Sequence, residues 1–154
     1  MKIDLIVRGI CCLRHGLKGV SERITVRSIV DRFLEHSRIY YFENAAQPEV
    51  FLGSADWMPR NFFRRIESVF PIVDGNLRER VISELLGLPI ADNLRARMLL
   101  PNGNYRLASP RGLIKPWRSQ FEFITLAGGG GHLVAKSRGA KSKYPNVTVA
   151  RRPF

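Results

Sequence analysis

The chain has 154 residues, 45% of them apolar, which suffices for one ordinary domain with a buried core. Its 25 Lys and Arg residues outnumber 13 acidic ones, and the net charge of +12 favours anionic partners over cationic ones. The adjacent Cys11 and Cys12 suit neither a disulfide framework nor a C-x-x-C metal site, and no apolar run suits a bilayer span or a signal peptide.

The first apolar segment, Ile3–Val7, predicts a buried strand that ends at Arg8. In open α/β sheets the carboxyl end of a strand is where ligands are contacted, so Arg8 is either a ligand contact or a simple surface terminus. We expect Cys11 and Cys12 to be small buried residues at this strand end. Residues 14–23 carry two glycines and several charges, which predicts a surface loop.

The next segment has apolar residues at helical spacing between Val26 and Leu34, which predicts a helix ending near His36. The β-branched residues of 24–30 would also permit a strand. In the helical interpretation Asp31 and Glu35 are charges on the helix surface.

The middle of the chain predicts a β-hairpin followed by a further strand. Residues 39–42 and 50–52 are aromatic and β-branched, and residues 44–48 between them form a turn. Residues 66–73 predict another strand, interrupted by Pro71.

The following segment predicts an amphipathic helix through Leu77 and Leu86, capped by Asp74 and ended by Gly87. Residues 102–105 predict a turn, and residues 117–126 predict a final helix.

The composition changes after residue 126. Residues 127–154 contain four consecutive glycines, six Lys or Arg and no acid, so they supply half of the net charge of +12. This predicts a flexible basic tail that could bind nucleic acid nonspecifically. His132 and His15 lack any functional context and are expected to be solvated loop residues.

One segment combines residue types suited to phosphate chemistry. On a strand beginning at His36, alternation places His36, Arg38 and Tyr40 on one face, where an imidazole and a guanidinium can address one anion. Imidazole can act as nucleophile or proton donor near neutral pH, and guanidinium matches phosphate oxygens and stays charged. Glu43 could orient the histidine or balance the charge.

A second group follows the hairpin. Ser54, Asp56, Arg60 and Asn61 could face a phosphate, or they could end a strand with Ser54 as a turn or cap donor and Trp57 in the core. The sequence alone does not decide between the phosphate-facing and the strand-ending role.

These residues resemble a known family. His36, Arg38 and Glu43 form a variant of the H-x-K-x4-D motif of the phospholipase D superfamily, with Gly53-Ser54 as its Gly-Ser pair. The surrounding sequence, over about residues 3–112, is similar to consecutive signatures of polyphosphate kinases. Those signatures are IVRGIC (6–11), RFLEHSR (32–38) and SADWMPRN (54–61).

The resemblance implies an α/β, phospholipase-D-like half-domain over residues 1–126, a mixed sheet flanked by helices. The family transfers the terminal phosphoryl of ATP to polyphosphate with Mg²⁺ and through a phosphohistidine, in a site that two such domains share. Arg8 and His36 match the ATP-contacting arginine and histidine of the second domain. The phosphohistidine and the Mg²⁺ ligands belong to the preceding domain. The resemblance therefore implies a kinase fragment, a split gene product or a decayed copy, inactive alone, that lacks this amino-terminal portion.

Two other functions remain open. Two copies of the motif could form a homodimeric phosphodiesterase or nuclease, or the chain could be an inactive anion-binding relic. We expect a cytoplasmic protein, with membrane association as an option for a full-length enzyme.

Overall fold

The computed structural model describes residues 1–110 and 112–128, which form a mixed α/β fold with two sheets. The strands are β1 (Ile3–Ile6), β2 (Ile24–Ile29), β3 (Ile39–Phe42), β4 (Glu49–Gly53), β5 (Val69–Pro71), β6 (Ala96–Leu99) and β7 (Tyr105–Leu107). The helices are α1 (Pro59–Arg64), α2 (Gly75–Arg80), α3 (Gly87–Ala91) and α4 (Ser119–Ala127), with a π-helical segment (Val81–Leu86) between α2 and α3.

The four-stranded sheet has the order β1-β2-β6-β7 and holds much of the core. β1 and β2 are parallel, with Ile3 opposite Ile24, and β6 runs antiparallel to β2. Val26 and Ala96 are fully buried. The predicted helix ending near His36 is therefore wrong, and the alternative of a strand within residues 24–30 is confirmed. Pairing on both edges of β2 satisfies its backbone, and its β-branched residues fit the pleated surface, so long-range contacts override the helical spacing.

The three-stranded sheet has the order β3-β4-β5 and contains the predicted hairpin, which is confirmed. Ile39 pairs with Leu52, and β5 pairs with the other edge of β4 and includes Pro71. The hairpin turn contains Ala45 and Ala46 at φ angles of 52° and 67°. This left-handed region is costly for residues with a Cβ atom.

The helical region after β5 begins where the sequence predicts and ends later. The Asp74 side chain accepts a hydrogen bond of 2.8 Å from the Leu77 backbone N–H, which confirms the predicted cap. Gly87 does not end the helix, because its φ of −62° is helical and the chain continues through α3 to Ala91. The predicted turn at residues 102–105 is confirmed, with Gly103 at a φ of 85°.

The predicted final helix is present as α4 and extends to Ala127, the first residue of the predicted tail. The rest of that tail, from residue 129 and including His132, lies outside the described residues. Cys11 is half-buried and Cys12 is exposed, so the expected burial of both cysteines is wrong for Cys12. Within the described ranges, no helix is long and apolar enough to cross a membrane.

Candidate anion-binding site

The topology brings three loops to one place. β1 and β2 are parallel, so the segments that follow them, which carry Arg8 and Asp31, leave the same edge of the four-stranded sheet. The backbone N–H of Gly53 donates to the Arg38 carbonyl at 3.0 Å, which sets the end of β4 beside the start of β3. Asp56, three residues after Gly53, therefore lies next to Arg38.

Asp56 is the centre of the cluster. Its Oδ1 atom accepts from Arg8 Nη2 at 3.1 Å and from Arg38 Nε at 3.1 Å, with Arg38 Nη2 at 3.0 Å. The side chains of Arg8, Arg38 and Asp56 are 30%, 19% and 19% exposed. One carboxylate oxygen thus holds two partly buried guanidinium groups side by side, one from beside each sheet.

The electrostatic surroundings keep Asp56 ionised. Desolvation acts to raise its pKa, but the charges of Arg38 and Arg8, the Arg38 hydrogen bond and the charge of His36 together outweigh it. The net result is a pKa below the ordinary aspartate value.

His36 lies directly beside Arg38, as the alternation of residues predicts, although regular pairing begins only at Ile39. Arg38 Nη1 is 3.2 Å from the imidazole Nδ1, and Nη2 is 3.0 Å from Nε2. A neutral imidazole has one nitrogen that can accept a hydrogen bond, so only one of these contacts is a hydrogen bond at a time. The imidazole is exposed and can meet a ligand from solvent.

Glu43 does not join this cluster. It follows β3, whereas His36 precedes it, so the strand separates the two side chains, and the Glu43 carboxylate accepts from the Tyr41 hydroxyl. That hydrogen bond raises the pKa of Tyr41. The carboxylate that balances the charge near His36 is Asp56, which sequence reasoning considered only for a phosphate-facing or strand-ending role.

Ser54 and Asn61 meet at a residue that sequence reasoning missed. The Glu67 carboxylate accepts from the Ser54 hydroxyl and from Asn61 Nδ2, the latter at 2.7 Å, and Ser54 Oγ accepts from the Ser68 N–H at 3.0 Å. The Ser54 bond is the largest factor lowering the pKa of Glu67. Asn61 is buried, so this network fixes α1 against the end of β4. Glu67 gave no sequence signal beyond its place in the predicted strand 66–73.

The other predicted neighbours lie at the surface. Arg60 is exposed in the first turn of α1. Trp57 is 77% exposed rather than in the core, and its indole N–H donates to the Tyr40 hydroxyl at 2.9 Å. Trp57 thus covers Tyr40 from outside.

The side chains of the described residues are not arranged to bind a metal ion. Among residues 1–110 and 112–128, no group of three or more His, Cys, Asp or Glu could hold a metal ion. The acid at the centre of the cluster, Asp56, is engaged by two arginines.

A histidine and two arginines at the edge of a mixed α/β fold, with a Gly-Ser pair on the neighbouring strand, define a phospholipase-D-like half-domain. Residues 1–120 match the family model described as "Polyphosphate kinase C-terminal domain 2". The chain therefore belongs to the polyphosphate kinase family, in which it corresponds to this carboxy-terminal domain.

Curated relatives and a solved structure agree with this assignment. The chain is 50% identical over 129 residues to the polyphosphate kinase of Neisseria meningitidis serogroup B, covering 84% of this chain and 19% of the relative. It is 56% identical over 106 residues to that of Burkholderia ambifaria, covering 69% and 15%. The crystal structure of polyphosphate kinase from Porphyromonas gingivalis superimposes with a TM-score of 0.76 at 41% identity, covering 83% of this chain and 19% of that one. The chain thus spans less than a fifth of these relatives.

Proposed function

We propose that this chain is the part of a polyphosphate kinase that binds the phosphates of ATP and polyphosphate, through Arg8, His36 and Arg38. The observation that carries the proposal is the Asp56 oxygen to which Arg8 and Arg38 both bind, within 3.1 Å, with His36 beside Arg38. It assembles the cationic groups at an exposed edge before any ligand arrives.

The arginines keep hydrogen-bonding capacity for phosphate. Arg8 contacts Asp56 through Nη2 alone, and a guanidinium carries five N–H donors. Arg8 and Arg38 together bear one more charge than Asp56 neutralises, so the cluster stays attractive to an anion. Guanidinium groups bind phosphate oxygens in pairs, which also orients the phosphoryl group.

His36 is proposed to donate a proton or to stabilise the charge that develops on the transferred phosphoryl group. It matches the second-domain histidine of the family, not the one that becomes phosphorylated. One ring nitrogen at a time can accept from Arg38, and the other can carry the N–H that donates to an anion bound beside Arg38.

Phosphoryl transfer itself is proposed for the longer protein to which such a domain belongs. The relatives are more than five times as long as the part matched here, and the phosphorylated histidine and the Mg²⁺ ligands are proposed to lie in that remaining portion. A homodimer and nucleic-acid binding through the basic tail stay predictions.

The test is a calorimetric titration of the purified chain with tripolyphosphate at low salt. The double variant Arg8→Ala/His36→Ala is expected to bind at least about tenfold more weakly, because it loses charge-assisted hydrogen bonds. Arg106→Ala, on the exposed strand β7, removes the same formal charge away from the cluster and is the matched control. Equal weakening by both variants would show that only net charge matters.

The tail offers the competing explanation, because it carries half of the net charge of +12. A chain ending at residue 128 is expected to keep the tripolyphosphate binding that depends on Arg8 and His36. Binding that disappears with the tail, and survives the double variant, would instead favour a nonspecific anion-binding relic.

A further inference from the structure

The segment that carries His36 needs support from elsewhere in the fold. Residues 30–38, between β2 and β3, form neither helix nor strand. Irregular backbone is held in one conformation only by side chains or packing from neighbouring elements. The position of His36 relative to Arg38 therefore depends on whatever binds this segment.

One buried amide binds it at two residues. Gln120, in the first turn of α4, is 4% exposed. Its Oε1 accepts from the Phe33 N–H at 2.8 Å, and its Nε2 donates to the Phe33 carbonyl at 2.8 Å and to Glu35 Oε1 at 2.6 Å. Both amide hydrogens and the amide oxygen are thus used on the residues that lead into His36.

The residue two positions earlier binds the start of the same segment. Arg118 Nε donates to Asp31 Oδ2 at 2.7 Å and Nη2 to Oδ1 at 2.5 Å, a two-bond contact. The Asp31 side chain is only 3% exposed, which corrects its expected place on a helix surface. The hydrogen bond from Arg118 is the largest factor lowering the pKa of Asp31, so the pair stays charged.

The residue between them ties α4 to the four-stranded sheet. The Ser119 backbone N–H and hydroxyl both donate to Asp92 Oδ2 at 2.8 Å, and Ser119 is fully buried. The other oxygen of Asp92 accepts from the Ala96 N–H at the start of β6. The first turn of α4 is thus fixed to the core on one side and holds the His36 segment on the other.

We infer that Arg118 and Gln120 are positioning residues for the anion-binding site, which set the His36 imidazole against Arg38. This inference rests on the proposed function of His36 and deepens it. Neither side chain contacts His36 or a ligand. They act through the backbone of Phe33 and the carboxylates of Asp31 and Glu35, and so restrict the segment to one conformation before binding.

The test uses the full chain and reads His36 directly. Gln120→Glu keeps the side-chain shape but replaces the donor that faces the Phe33 carbonyl and Glu35 with an acceptor. It is expected to shift or broaden the His36 ring resonances in two-dimensional ¹H–¹⁵N spectra without ligand. Tripolyphosphate binding is expected to weaken about threefold or more, since part of the segment's ordering then occurs on binding.

Ser119→Ala is the matched control, because it removes a buried hydrogen bond from the same turn without touching residues 31–36. It is expected to lower the melting temperature and to leave the His36 resonances in place. If Gln120→Glu does not fold, Arg118→Lys provides the same measurement, since it keeps the charge and loses the two-bond contact. His36 resonances unchanged in a folded Gln120→Glu or Arg118→Lys chain would overturn the inference.

The spectra also separate this inference from the proposed function. They are recorded without ligand, so they report on the His36 segment even if the wild-type chain does not bind tripolyphosphate. Absent binding with a shifted His36 in Gln120→Glu would reject the function and keep the positioning role.

Discussion

The two sheets differ in how deeply their residues are buried. The four-stranded sheet contributes Val26 and Ala96, both fully buried, together with Ile29 and Leu99. In the three-stranded sheet Val50 is buried, but every residue of β5 is exposed. Burial of apolar surface is the main stabilising contribution in folding, so most of the stability is expected to come from the first sheet. The second sheet contributes less to the core and exposes more of its side chains to solvent.

The candidate site joins these two regions. Arg8 follows a strand of the four-stranded sheet, whereas Arg38 and Asp56 flank strands of the three-stranded sheet. The Asp56 carboxylate connects them. The geometry of the site therefore depends on how the two sheets are placed relative to each other.

The largest expected effect is on the core. Val26→Ala is expected to lower the free energy of unfolding by about 2 kcal/mol, because it removes buried methyl groups and leaves a cavity. Phe70→Ala, on the exposed strand β5, is expected to cost less than about 1 kcal/mol, since the phenyl ring is 50% exposed. Urea denaturation measures both. Equal losses would break the contrast between the sheets.

A smaller effect is expected from acid. Asp31, Asp56 and Glu67 all have pKa values below their ordinary ones, so each contributes stability above its ordinary pKa and loses it as the pH falls through the lowered value. Melting temperatures measured from about pH 6 down to about pH 2, roughly the range in which such carboxylates titrate, should therefore fall. Asp56→Asn should flatten part of that decline, and an identical profile for this variant would contradict a role of Asp56 in joining the sheets.

The smallest expected effect concerns the hairpin turn. Ala46 has a φ of 67°, where glycine is not penalised for a Cβ atom. Ala46→Gly is expected to raise the free energy of unfolding by roughly 0.5 kcal/mol, because relief of strain exceeds the extra entropy of the unfolded chain. The control is Ala91→Gly, which is expected to destabilise α3. Urea denaturation of both variants compares their free energies of unfolding. Destabilisation by both changes would mean that the turn is not strained.

The sequence predicted features that depend on near neighbours. The hairpin, the Asp74 cap and the turn at residues 102–105 follow from local residue preferences, and the structure contains them. It left strand β2 as the second choice to a helix, because that segment's conformation is decided by strands distant in the chain.

The same limit applies to the site. The spacing of His36 and Arg38 placed them on one face, and Arg8 was indicated by its place at the end of an apolar strand and by the family resemblance. Nothing in the sequence indicated that Gln120 binds Phe33, because the two are 87 positions apart. Glu43 was considered because it occupies a motif position, yet the fold places it at the opposite end of β3.

For the proposed phosphate site, the shared carboxylate at Asp56 has a consequence for selectivity. An internal counter-ion cancels one of the two permanent positive charges, so a chloride or acetate ion meets a weak field and gains little from entering. A chain of linked phosphates brings several charges and many oxygens at once, and it can occupy the outward N–H groups of both guanidiniums together. Such an arrangement would attract anions and favour those of higher charge over monovalent ones.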